Sequence, residues 1–356
     1  MSRFIMLEAD NKNDPIIGKF EKPIKMIIEE ESNKWEKDRQ ITKYLYNIEN
    51  SNQFAETIMG ETGFDDFEAV GEGNGAPNDT VGLTTPKTIY HHEFKKEFTI
   101  TEKLMEDAKW GFPAEAGRRA RDFTRAWYNT QNKIAEKALY AGTTASFQIG
   151  SETVDLKTAD GQNLFSTGHT FTSSKKNKGA TGTQSNYFKA VGTSNAPITT
   201  AAHFKSAIEQ VVLKMSAFKD ENGEPMGYTP DTIILPSDSK LRFLVQEAVG
   251  SELVPDSSNN NINTQYGLWN VVILPHWLLN GGDAAFMVMS SEANEALRGN
   301  MFYNRAPLRI KNWIDNHTGN YIWGGRGRYG LGFGTWKHIA YVGNNTANSS
   351  ATALTL

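Results

Sequence analysis

The 356-residue chain predicts an α+β fold on three observations. A single amphipathic helix of unusual length is expected at 113–141. A mixed helix-and-strand lobe follows at 200–300. After Asn304 the pattern turns wholly to strand.

The long helix has the clearest boundaries. Pro113 stands where a first helical residue belongs, and Gly142 stands where a left-handed terminator would. Between them only Gly117 weakens the run. Ala116, Ala120, Phe123, Trp127, Ile134 and Ala138 recur at steps of three, four or seven, which makes one continuous apolar stripe. At about 1.5 Å per residue the helix is roughly 40 Å long. The other face carries Arg118, Arg119, Arg125, Lys133 and Lys137. It reads either as a solvated face or as an ion-pairing surface toward another subunit.

Residues 1 to about 50 are polar and charge-dense. Ile24, Ile28 and Trp35 suggest only a weak helical face, so an extended arm with a short helix is expected. From Ser51 to Pro86 the composition moves to Gly, Asp, Asn and Thr around GEGNGAPNDT, which favours turns and a mobile hairpin. Ile89, Tyr90, Phe94, Phe98 and Ile100 then read as strand, with Thr101 as N-cap of a helix over 102–110.

The stretch 143–199 is rich in Ser, Thr, Gly and Asn and reads mostly as loop. Thr200 caps a helix with Phe204, Ile208, Val211, Val212 and Met215 on one side. Strand 232–235, helix 238–249 and strands 269–274 and 285–289 complete the mixed lobe. Leu308, Ile310 and Ile314 alternate with Arg309, Lys311 and Trp313, and a turn falls at 316–319. Strands are expected at 321–329 and 336–342, before a small-residue tail, 344–356, that reads as frayed.

Composition excludes several chemistries. No cysteine is present, which removes disulfides, thiolate metal sites and thiol catalysis. With 37 basic and 41 acidic residues the net charge is -4, so no global attraction to nucleic acid or anionic membrane is expected. The start, MSRFIMLEADNKND, lacks an apolar signal region, and the longest apolar runs are too short to span a bilayer. A soluble intracellular product with no membrane partner is the expectation.

Gly325-Arg326-Gly327-Arg328-Tyr329-Gly330 spells G-x-G-x-x-G, but no helix follows to present its N-terminus to a pyrophosphate. A glycine-relieved strand is the stronger reading. Basic residues with interleaved aromatics at 305–313 and 326–337 fit either a phosphate-tracking surface or a sheet with one wet face, and the second is favoured. His91 and His92 adjoin, yet strand alternation sends them to opposite faces. Asp160, Ser166 and His169 contain the residue types of an acyl-transfer site without a G-x-S-x-G elbow, so a structural role for His169 is preferred. The acidic pairs lie in polar segments where nothing would raise a carboxyl pKa. No enzyme, cofactor or metal is expected.

The order of parts resembles the HK97-like major capsid fold of tailed bacteriophages. Val70-Gly71-Glu72-Gly73 with Pro77 looks like the start of that family's E-loop. Residues 98–107 look like the entry to its spine helix, and TPDTIILP and NVVILP look like axial-domain strands. DGQNLFSTGH at 160–169 resembles a segment of Mu-like major head subunits. The resemblance implies an N-terminal arm at 1–59, an E-loop at 60–90 and a peripheral domain at 91–199 containing the spine helix. It further implies an axial domain at 200–300, a return to the peripheral domain at 301–343 and a tail at 344–356.

The implied function is self-assembly of hexamers and pentamers into an icosahedral shell around double-stranded DNA. Virion location would follow assembly in the host cytoplasm. Implied inter-subunit contacts are Asp65, Asp66, Glu68 and Glu72 from the hairpin against Arg118, Arg119 and Arg125 of the helix, with Arg326 and Arg328 added. A separate scaffolding protein is expected, because no long Glu/Lys-rich helical extension precedes the arm. A portal and decoration proteins are further partners, and contact with DNA would be non-specific. Covalent crosslinking through Lys87 and Asn344 or Asn345 is not expected. The alternatives are an encapsulin-like compartment shell and, third, a nucleotide-binding α/β enzyme.

Overall fold

The structure is a computed structural model that describes residues 5–7, 15–38, 41–59, 67, 69–78, 85–107, 112–170, 182–191, 198–220, 223–252, 262–279, 285–343 and 351–355. The elements begin with β1 (Ile5–Leu7), α1 (Pro15–Asp38), α2 (Ile41–Leu45), β2 (Asn47–Asn50), β3 (Ala55–Ile58), β4 (Lys87–Tyr90), β5 (His92–Ile100), α3 (Glu102–Asp107) and α4 (Phe112–Tyr140). Next come β6 (Ser146–Ile149), β7 (Glu152–Asp155), β8 (His169–Thr170), β9 (Thr183–Gln184), β10 (Tyr187–Val191), α5 (Ala201–Ser216), β11 (Thr232–Pro236), α6 (Leu241–Gly250) and β12 (Asn270–Leu274). The chain closes with β13 (Ala285–Met289), α7 (Ser291–Ala296), β14 (Asn300–Ile314), β15 (Tyr321–Phe333), β16 (Ile339–Gly343) and β17 (Thr352–Thr355). Helices and strands mix as an α+β fold.

The chain divides into two compact units. The first comprises Met1–Glu56, Ile89–Ala135 and Phe302–Leu331, and the second Thr57–Thr88, Glu136–Met301 and Gly332–Leu356.

In the first unit a sheet runs in the order β1-β14-β15-β5, with β2 also paired to β14. β5 and β15 are antiparallel, setting Gly327 opposite Phe94 and Gly325 opposite Lys96. α4 packs on this sheet because the strand offers glycines where the helix offers rings. A Cβ on Gly325 would stand 2.6 Å from Cζ of Phe123, and one on Gly327 would collide with the Trp127 indole. α1 covers the other side of α4. A Cβ on Gly117 would lie 2.9 Å from Cδ1 of Ile27, the Ser32 and Tyr128 hydroxyls are 2.5 Å apart, and Trp35 stacks on Tyr128. α4 is therefore a middle layer. The predicted stripe is buried, and so are Tyr128, Gln131, Asn132 and Ala135 outside it.

In the second unit a six-stranded sheet has the order β12-β11-β13-β16-β10-β17. Its pairings are parallel for β11–β12, β10–β16 and β10–β17, and antiparallel for β11–β13 and β13–β16. α5 and α6 cover one face through Phe204, Ile208, Val211, Leu241 and Val245 against Ile233, Phe286, Val288 and Val342. Thr200 caps α5 as expected, accepting the His203 N–H.

Several expectations need correction. The arm is not extended with a short helix: α1 is 24 residues long, held by Ile24, Ile28 and Trp35 buried beside α4. The 143–199 stretch contains β6 to β10, because short ladders satisfy its backbone where side chains are small. The tail is not wholly frayed: β17 adds a parallel strand to the open edge of β10 and buries Leu354. Gly142 is not left-handed. It is required instead because a Cβ would stand 2.9 Å from the Phe165 ring. α6 starts at Leu241 rather than 238, and the strand expected from 336 starts at Ile339.

Candidate assembly surfaces

The hairpin expected after Ser51 is built from its base. β3 and β4 pair as a two-stranded ribbon, and the Thr57 and Thr88 hydroxyls lie 3.2 Å apart across it. Lys87 is buried there and donates to Asp155 Oδ2 at 2.5 Å. A paired, desolvated ammonium is a poor nucleophile, so this lysine is committed to the base of the hairpin. Beyond the base, Phe67 is fully exposed and Val70 is exposed. Glu72 sits exposed in a turn at Gly71–Asn74, where Gly73 takes φ +86°. Asp65, Asp66 and Glu68 lie outside the described residues, as do Asn344 and Asn345.

The basic face of α4 combines exposed side chains with contacts inside the chain. Arg118 is exposed, Arg119 donates to the Thr99 carbonyl at 2.8 Å, and Arg125 lies 3.6 Å from Glu31 of α1 and 3.8 Å from Asp122. Arg125 is still about half exposed, which leaves it a weak intrachain ion pair. On β15, Arg326 is exposed and pairs closely with Glu93, whose carboxyl is held below its usual value by bonds to Lys95 and Arg326. Arg328 is half-buried on the same strand. Arg326 and Arg328 thus line one strand face, and Arg118, Arg119 and Arg125 one helix face.

A cleft of about 100 Å³ opens in the first unit between α4 and the sheet. Phe94, Phe123, Ala126 and Trp127 line it, with Lys95 and Lys96 among its walls and Gly325 below. The Trp127 indole N–H meets no acceptor among the described residues. Sequence reading missed this cleft, although the spacing of Phe94 and Phe98 on a strand and of Phe123 and Trp127 on a helix already marked two aromatic faces.

The Asp160–His169 pair is real but structural. His169 Nδ1 lies 2.7 Å from Asp160 Oδ2, Nε2 lies 3.1 Å from Asn186 Oδ1, and the ring stacks on Trp336. Both nitrogens are occupied, so neither is left to deprotonate Ser166, whose Oγ accepts the Gly168 N–H. Burial would push the Asp160 carboxyl up, but the bond to His169 outweighs it and holds the group below its usual value. A second buried carboxylate, Glu136, accepts the main-chain N–H of His276 at 2.7 Å and faces its ring at 3.1 Å. Desolvation raises its pKa, and the His276 bonds oppose the rise.

The G-x-G-x-x-G segment lies wholly inside β15, and its glycines admit Phe123, Trp127 and the Tyr90 carbonyl instead of a phosphate. Among the described residues no group of three or more His, Asp or Glu could hold a metal, and no helix is long and apolar enough to cross a membrane.

A family model described as phage capsid protein matches residues 84–342. No curated protein matches the chain. Solved structures similar to it include the capsid of Myoviridae phage XM1, at 10% identity over 85% of this chain and 90% of that one, TM-score 0.49. The procapsid of bacteriophage JBD30 matches at 13% identity over 92% and 75%, TM-score 0.49. The capsid of cyanophage P-SCSP1u matches at 10% identity over 89% of each chain, TM-score 0.49.

Proposed function

Because the chain belongs to the phage capsid protein family, we propose that it is a major capsid subunit whose copies tile the icosahedral shell of a tailed phage. The observation that carries this reading is the extent of the family match, which runs from the hairpin base through α4 and the mixed lobe to β16. The fold is read as HK97-like, with 60–90 as E-loop, α4 as spine helix, 200–300 as axial domain and 301–343 as the return to the peripheral domain. DGQNLFSTGH at 160–169 supports a place among the Mu-like head subunits.

In this reading copies associate as hexamers and pentamers around double-stranded DNA, assembling in the host cytoplasm. Glu72, with Asp65, Asp66 and Glu68, meets Arg118, Arg119 and Arg125 of a neighbour, and Arg326 and Arg328 extend the basic surface. Work is done by association, not by catalysis, and without cofactor or membrane. A separate scaffolding protein, a portal and decoration proteins complete the partners. The shell is not crosslinked through Lys87, because its ammonium is taken by Asp155.

The flanking genes test the genome-shell reading. Portal and terminase genes beside this one are expected, whereas an adjoining cargo-enzyme gene without them would contradict it and favour a compartment shell.

A further inference from the structure

We infer that Asn74 is a site of spontaneous covalent modification: its side-chain amide is lost through a cyclic imide formed with Gly75, and the turn acquires an aspartate or an isoaspartate. The inference goes beyond the shell reading and does not depend on it.

An asparagine followed by glycine is the pair in which this chemistry is least obstructed. Glycine has no side chain to shield its main-chain nitrogen from the residue before it, and its backbone is the freest of any residue. The sequence contains the pair three times, at 74–75, 222–223 and 280–281. The fold makes them unequal. Asn74 and Gly75 are both exposed and lie outside any helix or strand. The Asn74 N–H closes a turn on the Gly71 carbonyl at 3.1 Å, so the turn ends there, and the next N–H, that of Gly75, has no acceptor among the described residues. A Cβ built on Gly75 would meet nothing within 4 Å, which leaves its nitrogen open to approach. At 222–223 the glycine nitrogen is engaged instead: the Gly223 N–H donates to the Asp220 carbonyl at 3.3 Å. The pair at 280–281 lies outside the described residues.

The reaction needs no reagent but water. The Gly75 nitrogen attacks Cγ of Asn74, the new N–Cγ bond forms as the Cγ–Nδ2 bond breaks, and ammonia leaves with the proton of the Gly75 amide. A five-membered imide results. Water then opens it at one of its two carbonyls: opening at Cγ leaves aspartate, and opening at the main-chain carbonyl leaves isoaspartate, whose backbone runs through Cβ and is one carbon longer. Nothing is oxidised or reduced. Neighbouring residues hold the nucleophile and electrophile together, which makes the attack intramolecular. Alkaline solution favours it by drawing off the amide proton and freeing the nitrogen lone pair. Either product carries a carboxylate, ionised at neutral pH, two residues beyond Glu72 in a stretch that already holds Glu61, Asp65, Asp66 and Glu68.

The test incubates the folded full-length protein in mildly alkaline buffer and follows its peptides by mass spectrometry, with fragmentation that separates aspartate from isoaspartate. The peptide containing Asn74 should gain the mass difference between an amide and an acid severalfold sooner than the peptide containing Asn222, and more slowly in mildly acidic buffer. In urea, where the hydrogen bond at Gly223 is lost, the two rates should converge. Gly75→Ala fits the open space at that position, so its melting temperature should match the parent while conversion at Asn74 slows severalfold. An amide at position 74 that persists in the folded protein while Asn222 is lost, or equal rates in the parent and Gly75→Ala, overturns the inference.

Discussion

Trp127 occupies the space that a side chain at position 327 would need: its indole lies against the backbone of Gly327, so that even a methyl group there collides with the ring. The contact fixes α4 on the sheet and explains why a strand carries glycines that resemble a nucleotide motif. Gly327→Ala is expected to cost about 1–3 kcal/mol by overpacking. Gly75→Ala, at a position with open space and no left-handed backbone, should be close to neutral. Thermal or denaturant unfolding of the two variants checks the contrast, and equal stabilities would contradict it.

Asn186 is the buried hub of the second unit. Its side chain accepts from the Ser166 N–H and faces His169 Nε2, while its Nδ2 donates to the Leu164 carbonyl at 2.8 Å and the Ile339 carbonyl at 3.0 Å. Removing it strands several buried groups at once. Asn186→Ala should therefore lose roughly 2–4 kcal/mol, more than one ordinary hydrogen bond contributes. Calorimetry showing a loss below half a kcal/mol would remove the hub role.

His338 gives the chain a defined acid response. Burial drives its pKa from 6.5 down to about 3, with its Nε2–H donating to Asn300 Oδ1. The folded state keeps the ring neutral while the unfolded state protonates it near pH 6.5. The associated stability is thus fully present above that pH and is lost progressively as pH falls toward 3, on the order of 5 kcal/mol in all. His91, also lowered by burial, acts in the same direction, whereas Glu136, raised by burial, acts against it. The melting temperature should fall between pH 6.5 and 4.5. His338→Gln, which keeps a donor for Asn300, should flatten most of that fall, and an unchanged slope would refute the assignment.

The charge surface makes a separate prediction. Arg118→Glu with Arg125→Glu should lower particle yield severalfold while leaving the melting temperature within about 2 °C, since exposed ion pairs contribute little to folding. Normal yield would remove the basic face of α4 from the interface.

What the sequence disclosed follows from how strongly each pattern was written. The α4 stripe was legible because Ala116 to Ala138 repeat without interruption, yet the second buried face through Tyr128 and Asn132 was not, since polar residues buried against another helix leave no periodic signal. α1 was underestimated for the same reason: Ile24, Ile28 and Trp35 stand among charged residues, and its helix is stabilised by packing on α4 more than by its own pattern. The strand at Thr352–Thr355 could not be read from small residues alone, because its pairing depends on the edge that β10 leaves open. Asp160 and His169 were legible as a pair, but Asn186, seventeen residues from the histidine, became their partner only through the fold. The cleft needed strand register: the pairing that sets Gly325 opposite Lys96 brings residues of both strands into one lining with Phe123 and Trp127.

Electron microscopy of the purified full-length protein, alone and with any scaffolding protein found encoded beside it, tests the central claim most directly. Closed shells of uniform diameter built from hexameric and pentameric units are the predicted result. A particle that stays at the 39.6 kDa monomer or at a small fixed oligomer under every assembly condition would contradict it.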